Sequence, residues 1–263
     1  MAVKKFTDFT RPPLTVMIQE KNPDKIIEIV EKTKKMGAEA FCLLINDMEE
    51  QYRKGHIFCE IFDAMGNCPA YIANYTWGIN AEKSYEYCME QALIALECGA
   101  ALFDVPGDCF CSSEYEITYN ERAVEKQKEL INHIHSMGKE VLMSSHTKKF
   151  LKAEDVLRIA EAHKERNVDI SKIVTNADTS EELIENYKIS ILLKQEFKHY
   201  HLFLCNGKEC KEHRLLSPIL GSCINLCLPD EDLTKSQPSL RKMKDFIKNL
   251  KISRLIFSIM DCG

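Results

Sequence analysis

Eight short apolar runs punctuate the chain at fairly regular intervals, and no other feature constrains its fold as strongly. They are Leu14–Gln19, Ala40–Asn46, Ala70–Tyr75, Ala101–Val105, Glu140–Ser145, Ile170–Thr175, Leu202–Cys205 and Cys223–Leu228. Six of the seven gaps hold a long stretch with apolar residues at helical spacing. In the first, Asn22-Pro23-Asp24 supplies a helix start, Ile26, Ile29 and Val30 an apolar stripe, and Gly37 a stop. In another, Thr179 and Glu182 stand at capping-box spacing. The last gap offers only a short helix near 209–216, and a final helix is expected over 239–250. Strands alternating with helices imply parallel β-α units with right-handed crossovers. Eight units in 263 residues predict an α/β fold, a (β/α)8 TIM barrel filling residues 1–263 as a single domain. An open doubly wound sheet is the competing arrangement. It usually carries a glycine-rich phosphate loop after its first strand, and Gln19-Glu20-Lys21-Asn22-Pro23 is not one.

Composition narrows the function. Lys and Arg number 35 against 40 Asp and Glu, a net charge of −5, which argues against a nucleic-acid partner because phosphate binding needs a basic face. No run reaches the roughly 18–20 apolar residues of a membrane span, and residues 1–9 lack the apolar core of a secretory signal. A cytoplasmic protein without a membrane partner is expected. The 12 cysteines are too dilute for a disulfide scaffold and form no C-x-x-C pair, so they read as packed thiols and no metal is expected. The apolar stretch 252–260 suits either packing on the barrel or a subunit interface, which leaves a homodimer open.

Active sites of such barrels lie at the C-terminal ends of the strands. Two residues there, on neighbouring strands, carry chemistry. Lys172 lies between Ile170 and Val174 on one face of the sixth strand, so it is expected to be desolvated. Burial disfavours an ammonium, and an amine that has lost its proton attacks a ketone to form a Schiff base. A structural ion pair with Asp104 across the lumen is the other use of such a lysine. His146 ends the fifth strand, where an imidazole is suited to moving protons or simply to capping the strand.

These segments resemble type I 3-dehydroquinate dehydratase, a Schiff-base (β/α)8 family. Ser144-Ser145-His146 is similar to its Ser-x-His segment, and Ile170-Ser171-Lys172-Ile173 to the strand bearing its lysine. The stretch from Gly207 to Arg214 resembles its Gly-x-x-Gly-x-x-Ser-Arg loop, followed by Gly221-Ser222 and a late Gln237. The resemblance implies Lys172 as nucleophile and His146 as acid/base. It implies Arg214 on a substrate carboxylate, aided by Gln237 and Ser222, and no cofactor.

The departures cluster in the first half. Where the family has Glu-x-Arg on its second strand, this chain has Cys42 and Leu44. Tyr75 stands for the arginine ending its third strand, and Thr76 to Asn80 offer no glutamate to orient the histidine. Cys210 and His213 replace a glycine and a serine of the loop. The expectation is a divergent lyase that dehydrates a small-molecule β-hydroxy keto acid other than 3-dehydroquinate, with Tyr75, Cys42 and Leu44 lining the altered half of the pocket. A class I aldolase on the same barrel and a non-catalytic ligand-binding barrel are the alternatives.

Overall fold

The computed structural model describes residues 4–232 and 236–249. The eight strands are β1 (Leu14–Ile18), β2 (Ala40–Leu44), β3 (Ala70–Ala73), β4 (Leu102–Pro106), β5 (Glu140–His146), β6 (Ile170–Asn176), β7 (Tyr200–Asn206) and β8 (Asn225–Cys227). Each expected run thus overlaps a strand, with β4, β5, β6 and β7 running past the expected bounds. The ends differ where the chain turns early: Ile45–Asp47 coils into a 3-10 turn at the end of β2. The helices are α1 (Pro23–Lys35), α2 (Gly55–Met65), α3 (Tyr85–Glu97), α4 (Glu121–Ser136), α5 (Ala153–Lys164), α6 (Ser180–Glu196), α7 (Cys210–Leu216) and α8 (Leu240–Asn249). The apolar stretch 252–260 lies outside the described residues.

Helix starts follow the local chemistry. Asn22 accepts from the Asp24 N–H, with Pro23 in the first turn of α1. Thr179 and Glu182 form a reciprocal capping box at α6.

All strand pairs are parallel, in the order β7-β6-β5-β4-β3-β2-β1-β8. Pairing of β8 with β1 curls the sheet into the TIM barrel and excludes a doubly wound order. The ends of the sheet, β7 and β8, meet without a ladder. The Cys223 N–H donates to the His201 carbonyl at 2.8 Å. Ser222 Oγ takes the Phe203 N–H at 3.1 Å and donates to its carbonyl at 3.2 Å.

Period-two alternation divides the core. Ala40, Cys42 and Leu44 face the lumen with Tyr71, Ala73, Tyr75, Ile170 and Val174. Phe41, Leu43, Ile72 and Phe103 face the helices. Phe6 is buried on Tyr71 at the lower end of the lumen, where Glu140 holds the backbone of Phe6 and Thr7. The lumen is therefore filled from below and addressed from the C-terminal mouth.

Candidate active site

Lys172 is the third residue of β6, in register with Ser144 on β5, and points inward among apolar side chains. It is 6% exposed. Its Nζ donates to the Tyr75 hydroxyl at 2.8 Å and the Tyr71 hydroxyl at 2.9 Å, and lies 3.4 Å from Asp104 Oδ2. The pairing with Asp104 that the sequence allowed is present, but the two phenols are closer. Both phenols in turn donate to Asp104 Oδ2, Tyr75 at 2.6 Å, and Ser144 Oγ donates to Oδ1 at 2.5 Å. Burial first, and the Asp104 charge second, push both phenols well above the usual tyrosine range, so they remain protonated donors.

His146 stands at the upper end of β5, one-fifth exposed at its side chain. Its ring meets Tyr75 edge to face at 5.2 Å and Trp77 at the same distance. Tyr75 and Trp77 lie against each other with centroids 4.1 Å apart. Tyr75 therefore spans the site, with its hydroxyl on the lysine and its ring on the histidine. The missing carboxylate partner of His146 comes from another loop. Glu116 Oε2 accepts the His146 N–H at 2.7 Å and lies 2.9 Å from Nδ1.

Arg214 is buried on α7 beside the end of β7. Its Nε donates to the Cys205 carbonyl at 2.7 Å, and its two Nη groups donate to Gln237 and to Asn206. Gln237 is itself fixed by donation to the Leu226 carbonyl. Burial works against the charge on Arg214, yet an arginine remains a cation in proteins. Ser222 does not join this group. It is consumed in the β7–β8 seam by the backbone of Phe203, ahead of the start of β8, while the mouth lies beyond its end.

Cys42 and Leu44 face the lumen, 2% and 8% exposed. Burial pushes the Cys42 thiol up to about 12, against the smaller pull of Lys172. That wall is neutral where a Glu-x-Arg pair would be charged. Tyr71 was visible in the sequence only as the alternate partner of Ala73 and Tyr75 on one face of β3. Glu116 sits in a long loop with no periodicity and no motif, so nothing local announced it.

The family model of type I 3-dehydroquinase matches residues 112–254. The chain belongs to the type I 3-dehydroquinase family. This is a family of dehydratases, hence lyases. No curated protein matches the chain by sequence. Among solved structures, type I 3-dehydroquinate dehydratase from Clostridium difficile, carrying covalently modified comenic acid, superposes with a TM-score of 0.79 at 17% identity, covering 93% of this chain and 94% of that one. The 3-dehydroquinate dehydratase of Geobacillus kaustophilus gives 0.76 at 13% identity over 97% and 98%. Deoxyribose phosphate aldolase from Aeropyrum pernix gives 0.54 at 13% over 92% and 91%. At such identities these likenesses speak for the barrel alone.

Proposed function

We propose that this member of the family is a Schiff-base dehydratase acting on a keto acid less hydroxylated, or more aromatic, than 3-dehydroquinate. One observation carries the reading: a buried Lys172 amine whose two short bonds go to phenols, joined through Tyr75 to the imidazole of His146. A neutral amine has two N–H bonds and one lone pair. Once the proton shared with Asp104 has left, donation to Tyr71 and Tyr75 occupies both remaining hydrogens and leaves the pair for a carbonyl carbon.

Attack forms the N–C bond, and loss of water from the carbinolamine leaves an iminium. That iminium accepts the electrons of the neighbouring C–H bond as His146 takes the proton, giving an enamine. The enamine electrons then expel the β-hydroxyl, which leaves as water with the proton His146 returns. Hydrolysis of the product imine frees Lys172. Arg214, held flat by Gln237, Asn206 and the Cys205 carbonyl, suits a planar carboxylate. Cys42, Leu44 and Tyr75 replace the charged groups that would read ring hydroxyls, and a pocket without such partners does not select for them. Tyr75 and Trp77 offer aromatic faces instead.

The test is borohydride reduction in the presence of 3-dehydroquinate and of simpler ring keto acids, followed by mass spectrometry of the Lys172 peptide. An adduct on Lys172, absent from Lys172→Ala, is expected. Vigorous turnover of 3-dehydroquinate would refute the altered substrate. Release of a carbonyl fragment rather than water would give the aldolase reading. No adduct with any carbonyl, and unchanged ligand binding in Lys172→Ala, would leave a binding barrel.

A further inference from the structure

We infer that Glu116 is the positioning residue of His146, delivered by a β4–α4 loop built to hold it, in place of the glutamate the family keeps after its third strand. The inference rests on the Schiff-base reading for the step it serves, but its geometry stands apart from that reading.

The loop from Gly107 to Thr118 is closed at its neck. The Thr118 N–H donates to the Gly107 carbonyl at 3.1 Å. The buried Arg166 guanidinium donates to the same carbonyl at 3.0 Å and to that of Thr118. Gln127 donates to Gly107 and Cys109 from α4 at 3.1 and 2.9 Å. Within the loop, the Glu116 N–H reaches the Ser113 carbonyl at 3.2 Å. Ser145 Oγ, next to His146 in sequence, donates to the Glu116 carbonyl at 2.6 Å. These bonds hold Glu116 at φ 48°, a left-handed conformation unfavourable for a residue with a Cβ. A glutamate stands there against that preference, and its carboxylate falls on His146.

Both bonds to Oε2 come from His146 donors. An ionised carboxylate only accepts, so Nδ1 carries the hydrogen and Nε2 presents its lone pair. His146 is thereby set as a base at Nε2, and the carboxylate stabilises the imidazolium formed when it takes a proton.

The probe is 3-oxocyclohexane-1-carboxylate in D2O, a ring keto acid with exchangeable α-hydrogens and no hydroxyl to lose. After imine formation on Lys172, the α C–H breaks, its proton goes to His146 Nε2, and the electrons enter the iminium. Return of a deuteron from solvent leaves a labelled ketone. Glu116→Gln, nearly isosteric, should reach the wild-type end point of borohydride trapping while deuterium incorporation falls about 10–100-fold. His146→Gln should lose exchange to at least that extent. Nitrogen NMR of His146 in the ligand-free protein should show hydrogen on Nδ1, and loss of that single tautomer in Glu116→Ala. Exchange at the wild-type rate in Glu116→Gln, or an unaltered tautomer in Glu116→Ala, would overturn the inference. Should wild type trap no ketone at all, the Schiff-base reading falls, and the tautomer alone decides the role of Glu116.

Discussion

A single hydroxyl couples the nucleophile to its surroundings. Tyr75 Oη accepts from Lys172 and donates to Asp104, so Tyr75→Phe leaves both buried partners short of a bond. Loss of one partner in a buried network costs about 1–3 kcal/mol, to be seen as a lower urea midpoint. A midpoint equal to wild type would show that the phenol contributes nothing to holding Lys172. Cys42 gives a second residue-scale expectation. Its thiol, pushed up to about 12 by burial, stays protonated at neutral pH, and only the thiolate alkylates. Iodoacetamide near pH 8 should label the exposed Cys59 in the folded protein and reach Cys42 only after unfolding. Rapid native alkylation of Cys42 would mean that the altered wall is open and polar. Lys172 and His146 were legible in the sequence because strand alternation and adjacent strand ends follow from local pattern. Glu116 was not, because its reach depends on Arg166, Gln127 and Ser145, which stand far from one another in the chain.

Among the elements, the β4–α4 loop depends most on one glycine. A Cβ on Gly107 would lie 2.4 Å from the Glu116 carbonyl oxygen and 2.8 Å from Ser145 Oγ. Neither can yield without breaking the bond that orients the loop. Gly107→Ala should therefore lower stability by about 2 kcal/mol or more and displace Glu116 from His146, read by urea unfolding and by the His146 tautomer. A stable variant with the tautomer intact would mean that the loop adapts. The helix starts behave more simply: Thr179→Ala removes half of a capping box and should cost about 1 kcal/mol. These starts could be read from the sequence because each cap is chemistry among residues two or three apart. The end of β2 could not, since Ile45 continues its apolar run yet coils with Asn46 and Asp47 into a 3-10 turn.

For the molecule as a whole, burial of neutral histidines predicts acid sensitivity. His201 and His213 are held to about 4 by burial, against an ordinary 6.5, and burial pushes His163 well below that ordinary value too. The unfolded chain binds more protons between those values, so stability present above about pH 6.5 is lost as the pH falls toward 4, by roughly 3 kcal/mol for each of the first two. Glu140 and Asp108, pushed up by burial, take protons more readily when folded and offset part of the loss at the acid end. Urea unfolding near pH 7.5 and near pH 5 measures the slope; equal midpoints would show that these imidazoles are solvated in the folded state. The same global scale separates what pattern dictated from what packing settled. Strand count, parallel order and the inward lysine came from hydrophobic periodicity, which any local stretch of chain must obey to bury its apolar face. Three features came only from closure of the barrel: the closer contacts of the Tyr71 and Tyr75 phenols on Lys172, the use of Ser222 in the seam, and the supply of His146's carboxylate from a different loop. Each joins side chains whose distance is fixed by the curvature of the sheet and by buried anchors remote in sequence.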